Sequence, residues 1–408
     1  PPCRRAVARR TPRCQIPSMR TSRLLLAVVS TLGIALPALV AGTPASGTPS
    51  AARGGPGTWT KVTTGDVRNT AEPGLYRTAN GALHLVYLRH HPSSETLAYT
   101  TIRANGSTGA TGVAVNGWAS LPEDPKLVGT PGGGMRLVFG GSDGVTADPF
   151  NTGQMYSATS SAAGTAWTLQ PGALTQSEYA MDSYGTGATT LADGTPVVSF
   201  PLNGILTWNA GGADSTYDFG ACCTYDSTLA RDGDEVWMSF AANGDSPARA
   251  GQFVKQLLPT VGPTTKVPRS SDGTDVLTPL QATAFVARPG GGLWTAYCIG
   301  YPTCDKVGLW RVGSAQPRSV PGSRGARDIA ISTAPGGRLW IAWTTYHAVK
   351  VVNTGATGTS FGTVRTIKPP RAASSLYGVA IAGTDRSADV VINNGKALYH
   401  QQVRLRTR

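Results

Sequence analysis

Charge is scarce in this chain. Asp, Glu, Lys and Arg make up 14% of its 408 residues, while 40% are hydrophobic, a balance that excludes a charge-extended disordered protein. Helical periodicity is absent beyond the first forty residues, which excludes a helix bundle. Histidine is rare, at five residues, and no DxDxDG loop for calcium is present. Acids are missing altogether from residues 1–53, which hold Arg4, Arg5, Arg9, Arg10, Arg13, Arg20, Arg23 and Arg53. The formal charge of +13 falls to +5 without them, since 13 − 8 = 5. The remaining cations are scattered, so the basic stripe of a nucleic-acid binder is lacking.

Glycine (51) and proline (29) are plentiful, and they punctuate a repeat. An apolar strand, a tight turn and a second apolar strand recur seven times. The turns with their second strands read TANGALHLVYLR (78–89), TPGGGMRLVFGG (130–141), LADGTPVVSF (191–200), ARDGDEVWMSF (230–240), RPGGGLWTAYC (288–298), APGGRLWIAW (334–343) and GTDRSADVVIN (383–393). Hairpins repeated every ~40–60 residues predict an all-β radial array, a β-propeller. Seven blades are expected. Six is the runner-up, because the last repeat lacks the turn glycine. Third strands are expected at 96–102, 154–160, 205–210, 251–257, 307–312, 348–354 and 397–403. The last repeat has no room for a fourth strand, so 58–66 is expected to supply it and close the ring, removing an exposed sheet edge. Second strands are apolar on both faces, as stacking between neighbours requires. Trp237, Trp294, Trp340 and Trp343 are expected to pack between blades rather than stack on sugars.

The first 57 residues read as separate from that domain. Residues 19–42 have the form of an export signal: Met19, then Arg20 and Arg23, then an apolar stretch over 24–41 and small residues at the cleavage site. A membrane anchor is the alternative if the signal is not cleaved, although the run is only about 18 residues and Pro37 sits inside it; after cleavage no stable span is expected. Residues 1–18 read as an upstream extension, 43–57 as a linker, and 58–408 as the propeller. The protein is therefore expected to be secreted. Cys222, Cys223, Cys298 and Cys304 are candidates for disulfides, with three pairings open. Their spacing does not suit zinc, so no metal is expected, nor any cofactor.

In such a ring, the loops leading into each first strand share one rim with the loops joining strands two and three. That rim surrounds the channel and is the default site. Ligand-binding candidates assigned to it are Tyr76, Arg77, Arg89, His90, His91, Asp182, Tyr184, Tyr225, Asp226, Tyr301, Arg327, Asp328, Tyr346, His347 and Tyr377.

Two segments carry a resemblance. Ser160 to Trp167 keeps the Ser, Gly and Trp of Ser-x-Asp-x-Gly-x-Thr-Trp, and Thr354 to Phe361 keeps its Gly and an aromatic. They resemble degenerate Asp-box loops of the sialidase superfamily. The resemblance implies a propeller whose boxes lie opposite the site, and an Arg77 that binds a substrate carboxylate. The Ile-Pro that follows that arginine in sialidases is missing here, and the other catalytic motifs are not matched. Recognition of a glycan or extracellular protein is the leading reading. A glycan-active enzyme is the alternative: a hydrolase would draw its carboxylate pair from Asp182, Asp226 and Asp328, and a lyase would use Arg77, His90, His91 and Tyr346. A structural or protein-interaction propeller ranks third.

Overall fold

The computed structural model describes residues 58–63, 72–91, 94–118, 121, 125–142, 152–177, 179–180, 185–202, 204–221, 223–244, 246–270, 283–300, 303–370 and 378–405. The export signal, the linker and the upstream extension lie outside these residues. Those described form 29 strands in seven antiparallel sheets. The chain is a seven-bladed β-propeller.

The first, innermost strands are Gly74–Arg77, Lys126–Gly129, Gly187–Thr190, Cys223–Asp232, Ala284–Ala287, Ile329–Thr333 and Gly378–Gly383. Each pairs with a second strand: Leu83–His91, Met135–Gly141, Pro196–Leu202, Glu235–Asn243, Leu293–Ile299, Leu339–Thr344 and Ser387–Asn393. Third strands lie at every segment expected from the sequence. Among the described residues, blade two alone carries a fifth strand, Tyr179–Ala180, paired to the start of its third.

The ring closes as expected. Thr60–Lys61 is the outer strand of blade seven, with Thr60 opposite His400 and Lys61 opposite Tyr399. The Val62 amide continues the ladder to the Leu398 carbonyl at 3.0 Å, and Thr63 Oγ1 accepts from the Leu398 amide at 3.2 Å. Thr100 of blade one donates to the Val62 carbonyl at 2.9 Å, so the closing segment also holds the first blade.

The hairpin turns rest on a left-handed residue. Gly337 has φ 80°, and a Cβ there would meet the carbonyls of Ala356 and Pro289 at 2.9 Å. Blade seven manages without the glycine. Thr384 Oγ1 accepts from the Ser387 amide at 2.9 Å and fixes the turn by a side-chain bond instead.

Apolar clusters fill the gaps between neighbouring blades. Trp294 and Trp343 pack between blades five and six, and Trp340 between six and seven. Trp237 packs against the cluster between four and five. All four serve stacking of the blades, as the sequence led us to expect.

The two box-like segments are turns between third and fourth strands, on the face away from the lead-in loops. Ser160 Oγ donates to the Ala166 carbonyl at 2.5 Å, and Thr354 bridges Phe361. Gly164 and Gly358 are left-handed, at φ 64° and 74°. A Cβ would strike His84 of blade one in the first case and press Trp294 of blade five in the second. Each glycine thus seats its turn on the second strand of the preceding blade.

Candidate functional site

Strand polarity defines two faces. The starts of first strands and the ends of second strands share the rim face, as the pairing of Ile329 with Trp343 shows. The ends of first strands and their hairpin turns form the opposite, hairpin face.

Three sequence candidates meet on the rim of blade six. Arg327 leads into the first strand, and Tyr346 and His347 lie in the loop after the second. The Arg327 guanidinium sits 4.2 Å from the centroid of the Tyr346 ring, and the His347 ring is 6.3 Å from it. Tyr346 is 69% exposed, an unusual investment of aromatic surface. The Arg327 amide donates to the Thr344 carbonyl at 2.9 Å and the Thr344 amide returns to Asp328 at 3.0 Å, which holds the two loops together.

The loop beside them is tied. Cys298 and Cys304 form a disulfide with Cα atoms 5.3 Å apart. It closes the loop within blade five instead of linking two blades. The Cys304 carbonyl accepts from the Gly325 amide at 2.8 Å, so the bridge braces the approach to Arg327. Removing it with Cys298→Ser is expected to lower stability by about 2 kcal/mol, given the short loop it closes. Hydrogen exchange should quicken at Gly325 and stay unchanged in blades two and three. Equal acceleration across all blades would contradict a local role.

Asp226 and Asp328 flank the same mouth and are buried. An oxygen of the Asp328 carboxylate accepts from the Val379 amide of blade seven. Asp226 lies within the first strand of blade four, at a bulge between Tyr225 and Thr228, with φ 49°. Its carbonyl accepts from Thr283 Oγ1 of blade five at 2.9 Å. Aspartate tolerates that left-handed backbone better than most residues, and such strain collects at functional sites. Tyr225 precedes it, half-buried. Arg89, His90 and His91 end the second strand of blade one, on this face.

The mouth leads to a channel compartment of about 180 Å³. Its wall is mainly apolar. The polar groups are Thr186, Thr228 and Thr283, with Lys126 Nζ 3.8 Å from Glu72 Oε2 across blades one and two. These residues were missed in the sequence. Their signal was position, since each begins or leads into a first strand or, in blade four, follows its bulge.

One assignment is corrected. Tyr76 and Arg77 do not lie in a lead-in loop. Their strand starts earlier, at Gly74, where a Cβ would stand 2.7 Å from the Pro125 carbonyl oxygen. Arg77 therefore ends the strand on the hairpin face, paired with Asp389 and donating to Ala382 O at 3.2 Å and Gly81 O at 2.9 Å. Tyr76 packs over Gly129 of blade two. The lyase set of Arg77, His90, His91 and Tyr346 is thereby split between faces. Asp182, Tyr184, Tyr301, Tyr377 and Cys222 lie outside the described residues, as do the side chains of His90, His91 and Cys223. No cluster of metal-ligating side chains occurs among the described residues.

No protein-family model matches the sequence, and no curated protein does. Among solved structures, the chain is similar to the Hadza microbial sialidase Hz136, at 11% identity and a TM-score of 0.50, over 82% of this chain and 65% of that one. It is similar to virginiamycin B lyase from Staphylococcus aureus at 15% identity and a TM-score of 0.47, covering 84% and 98%. Polysaccharide lyase Uly1 gives 11% identity and a TM-score of 0.47, covering 85% and 92%. At these identities, the likeness to the sialidase shows a shared fold.

Proposed function

We propose that this is a secreted propeller that recognises a glycan, or another extracellular ligand, on the rim around blade six. One observation carries the reading: an exposed Tyr346 ring lies against the Arg327 guanidinium on the rim face. A tyrosine face stacks on the C–H face of a sugar, and a guanidinium suits a carboxylate or sulfate on it. An acidic glycan combines both demands. Secretion is supported by the Met19 export pattern and by the disulfide. No helix among the described residues is long and apolar enough to cross a membrane.

A glycan-active enzyme is the second reading, favoured by the buried Asp226 and Asp328 at the same mouth. Recognition ranks above it for two reasons. Arg77 is committed to Asp389 on the other face, and no arginine is among the residues lining the rim-face compartment.

The test is a panel of acidic and neutral oligosaccharides, read for both binding and turnover. Tyr346→Ala and Arg327→Gln should each weaken binding of the best acidic ligand by about 10-fold or more. Product formation by the native protein, abolished by Asp226→Asn, would move the reading to an enzyme. Unchanged affinity in both rim variants would remove blade six from the site.

A further inference from the structure

The channel has a rim-face compartment and a hairpin-face compartment that adjoin. Leu75, Ala188, Leu229, Phe285, Ile331 and Ile381 line both of its compartments, forming an apolar belt contributed by six blades. Beyond the belt, on the hairpin face, lies a compartment of about 570 Å³. Its volume is in the range of small-molecule sites, whereas the rim-face compartment falls below it. Small residues at strand ends, among them Gly129, Ala287 and Gly383, leave it wide.

Its polar lining is specific. Arg231 of blade four is anchored by Nη1 to the Thr190 carbonyl of blade three at 2.6 Å and by Nε to Gly233 O at 2.9 Å. Its Nη2 makes no hydrogen bond among the described residues, so one arm of a rigid fork is still unused. Arg77 lines the same space, but its charge is met by Asp389. The remaining acids nearby are Asp193, which is fully exposed and meets Arg231 only through its solvent-screened field, and Asp232, which accepts from the Gly292 amide at 2.9 Å. Thr189 and Thr333 line the compartment, and their hydroxyls have no protein partner among the described residues.

We propose that this compartment is a second binding site, separate from the rim, for a small polyhydroxylated carboxylate of the uronic-acid class. Arg231 holds the carboxylate, Thr189 and Thr333 meet ring hydroxyls, and the belt supplies an apolar floor for the C–H face of the ring. A guanidinium recognises a carboxylate by geometry as well as charge. This reading does not depend on the rim.

The experiment is calorimetric titration of the full chain with glucuronate, with glucose as the neutral control. Native protein should bind glucuronate more tightly than glucose. Arg231→Gln should weaken glucuronate binding at least 10-fold, Arg231→Lys less so, and Tyr346→Ala not at all. Should Arg231→Gln fold poorly, Thr189→Val serves in its place, with a loss of about 3-fold expected. Absence of glucuronate binding in native protein overturns the proposal. So does a loss caused by Tyr346→Ala and not by the hairpin-face variants, which would place the ligand on the rim.

Discussion

Replacing Asp389 by asparagine is expected to lower global stability by about 3 kcal/mol, the scale for breaking a buried ion pair. Asp389 is almost wholly buried in blade seven and binds three side chains. Arg77 reaches it from blade one, His400 Nε2 lies 2.7 Å from Oδ1, and Gln402 Nε2 lies 3.4 Å away. Gln402 also donates to the Ala104 carbonyl of blade one, at 3.4 Å. These contacts span the seam where the chain's ends meet. Asparagine would leave the Arg77 guanidinium partly buried without its counter-charge. A fall of about 4 °C in the thermal midpoint should follow for a domain of this size.

The same carboxylate sets an acid dependence. Burial acts to raise its pKa, but the hydrogen bond from His400 and the fields of His400 and Arg77 prevail and hold it below the usual range. A carboxyl depressed in the folded state stabilises fully above its unfolded pKa of about 3.9, and that stability is lost as pH falls through the folded value. The carboxylate's contribution to the gap between native protein and Asp389→Asn should therefore be lost below about pH 4. Denaturant titrations across pH measure it. A gap that widens on acidification would contradict the assignment.

Trp343→Ala should cost about 3–5 kcal/mol, as large-to-small changes in cores do. Trp343 has no solvent exposure and fills the space between blades five and six. Its indole N–H has no partner among the described residues. Trp343→Phe should consequently cost much less than alanine, because no bonded group is orphaned by the loss of the nitrogen. Equal costs for the two variants would mean that the ring's volume is not what matters at this position.

The fold was legible because its rules are local and repeated. Hairpin turns, doubly apolar second strands and the shortfall of one strand in the last repeat were all visible, and the last implied closure by residues near Thr60. The missing glycine of blade seven raised a six-bladed alternative. The Thr384 hydroxyl makes that turn in another way, which composition does not announce. The fifth strand at Tyr179–Ala180 had no signal at all, since two residues carry no periodicity.

The site was legible only in part. Arg327, Tyr346 and His347 were placed correctly because a hairpin dictates which loops share a face. Arg77 was placed on the wrong face because its first strand is only four residues long, Gly74–Arg77, so the residues just before the turn belong to the strand's far end and not to its lead-in loop. A pattern was available nonetheless. Arg77, Arg231 and Arg288 each shortly precede a turn glycine, and each reaches a carbonyl of a neighbouring blade. Cysteine pairing stayed open among three schemes, because connectivity depends on loop geometry, and the chain formed a short loop within one blade.

The proposed recognition face is tested most directly by a crystal structure of the protein with its tightest-binding acidic oligosaccharide. Density should cover the Tyr346 ring and meet the Arg327 guanidinium, at the mouth beside the disulfide-tied loop. Well-ordered sugar on the outer edges of the blades, with the blade-six rim bare, would show that recognition lies elsewhere.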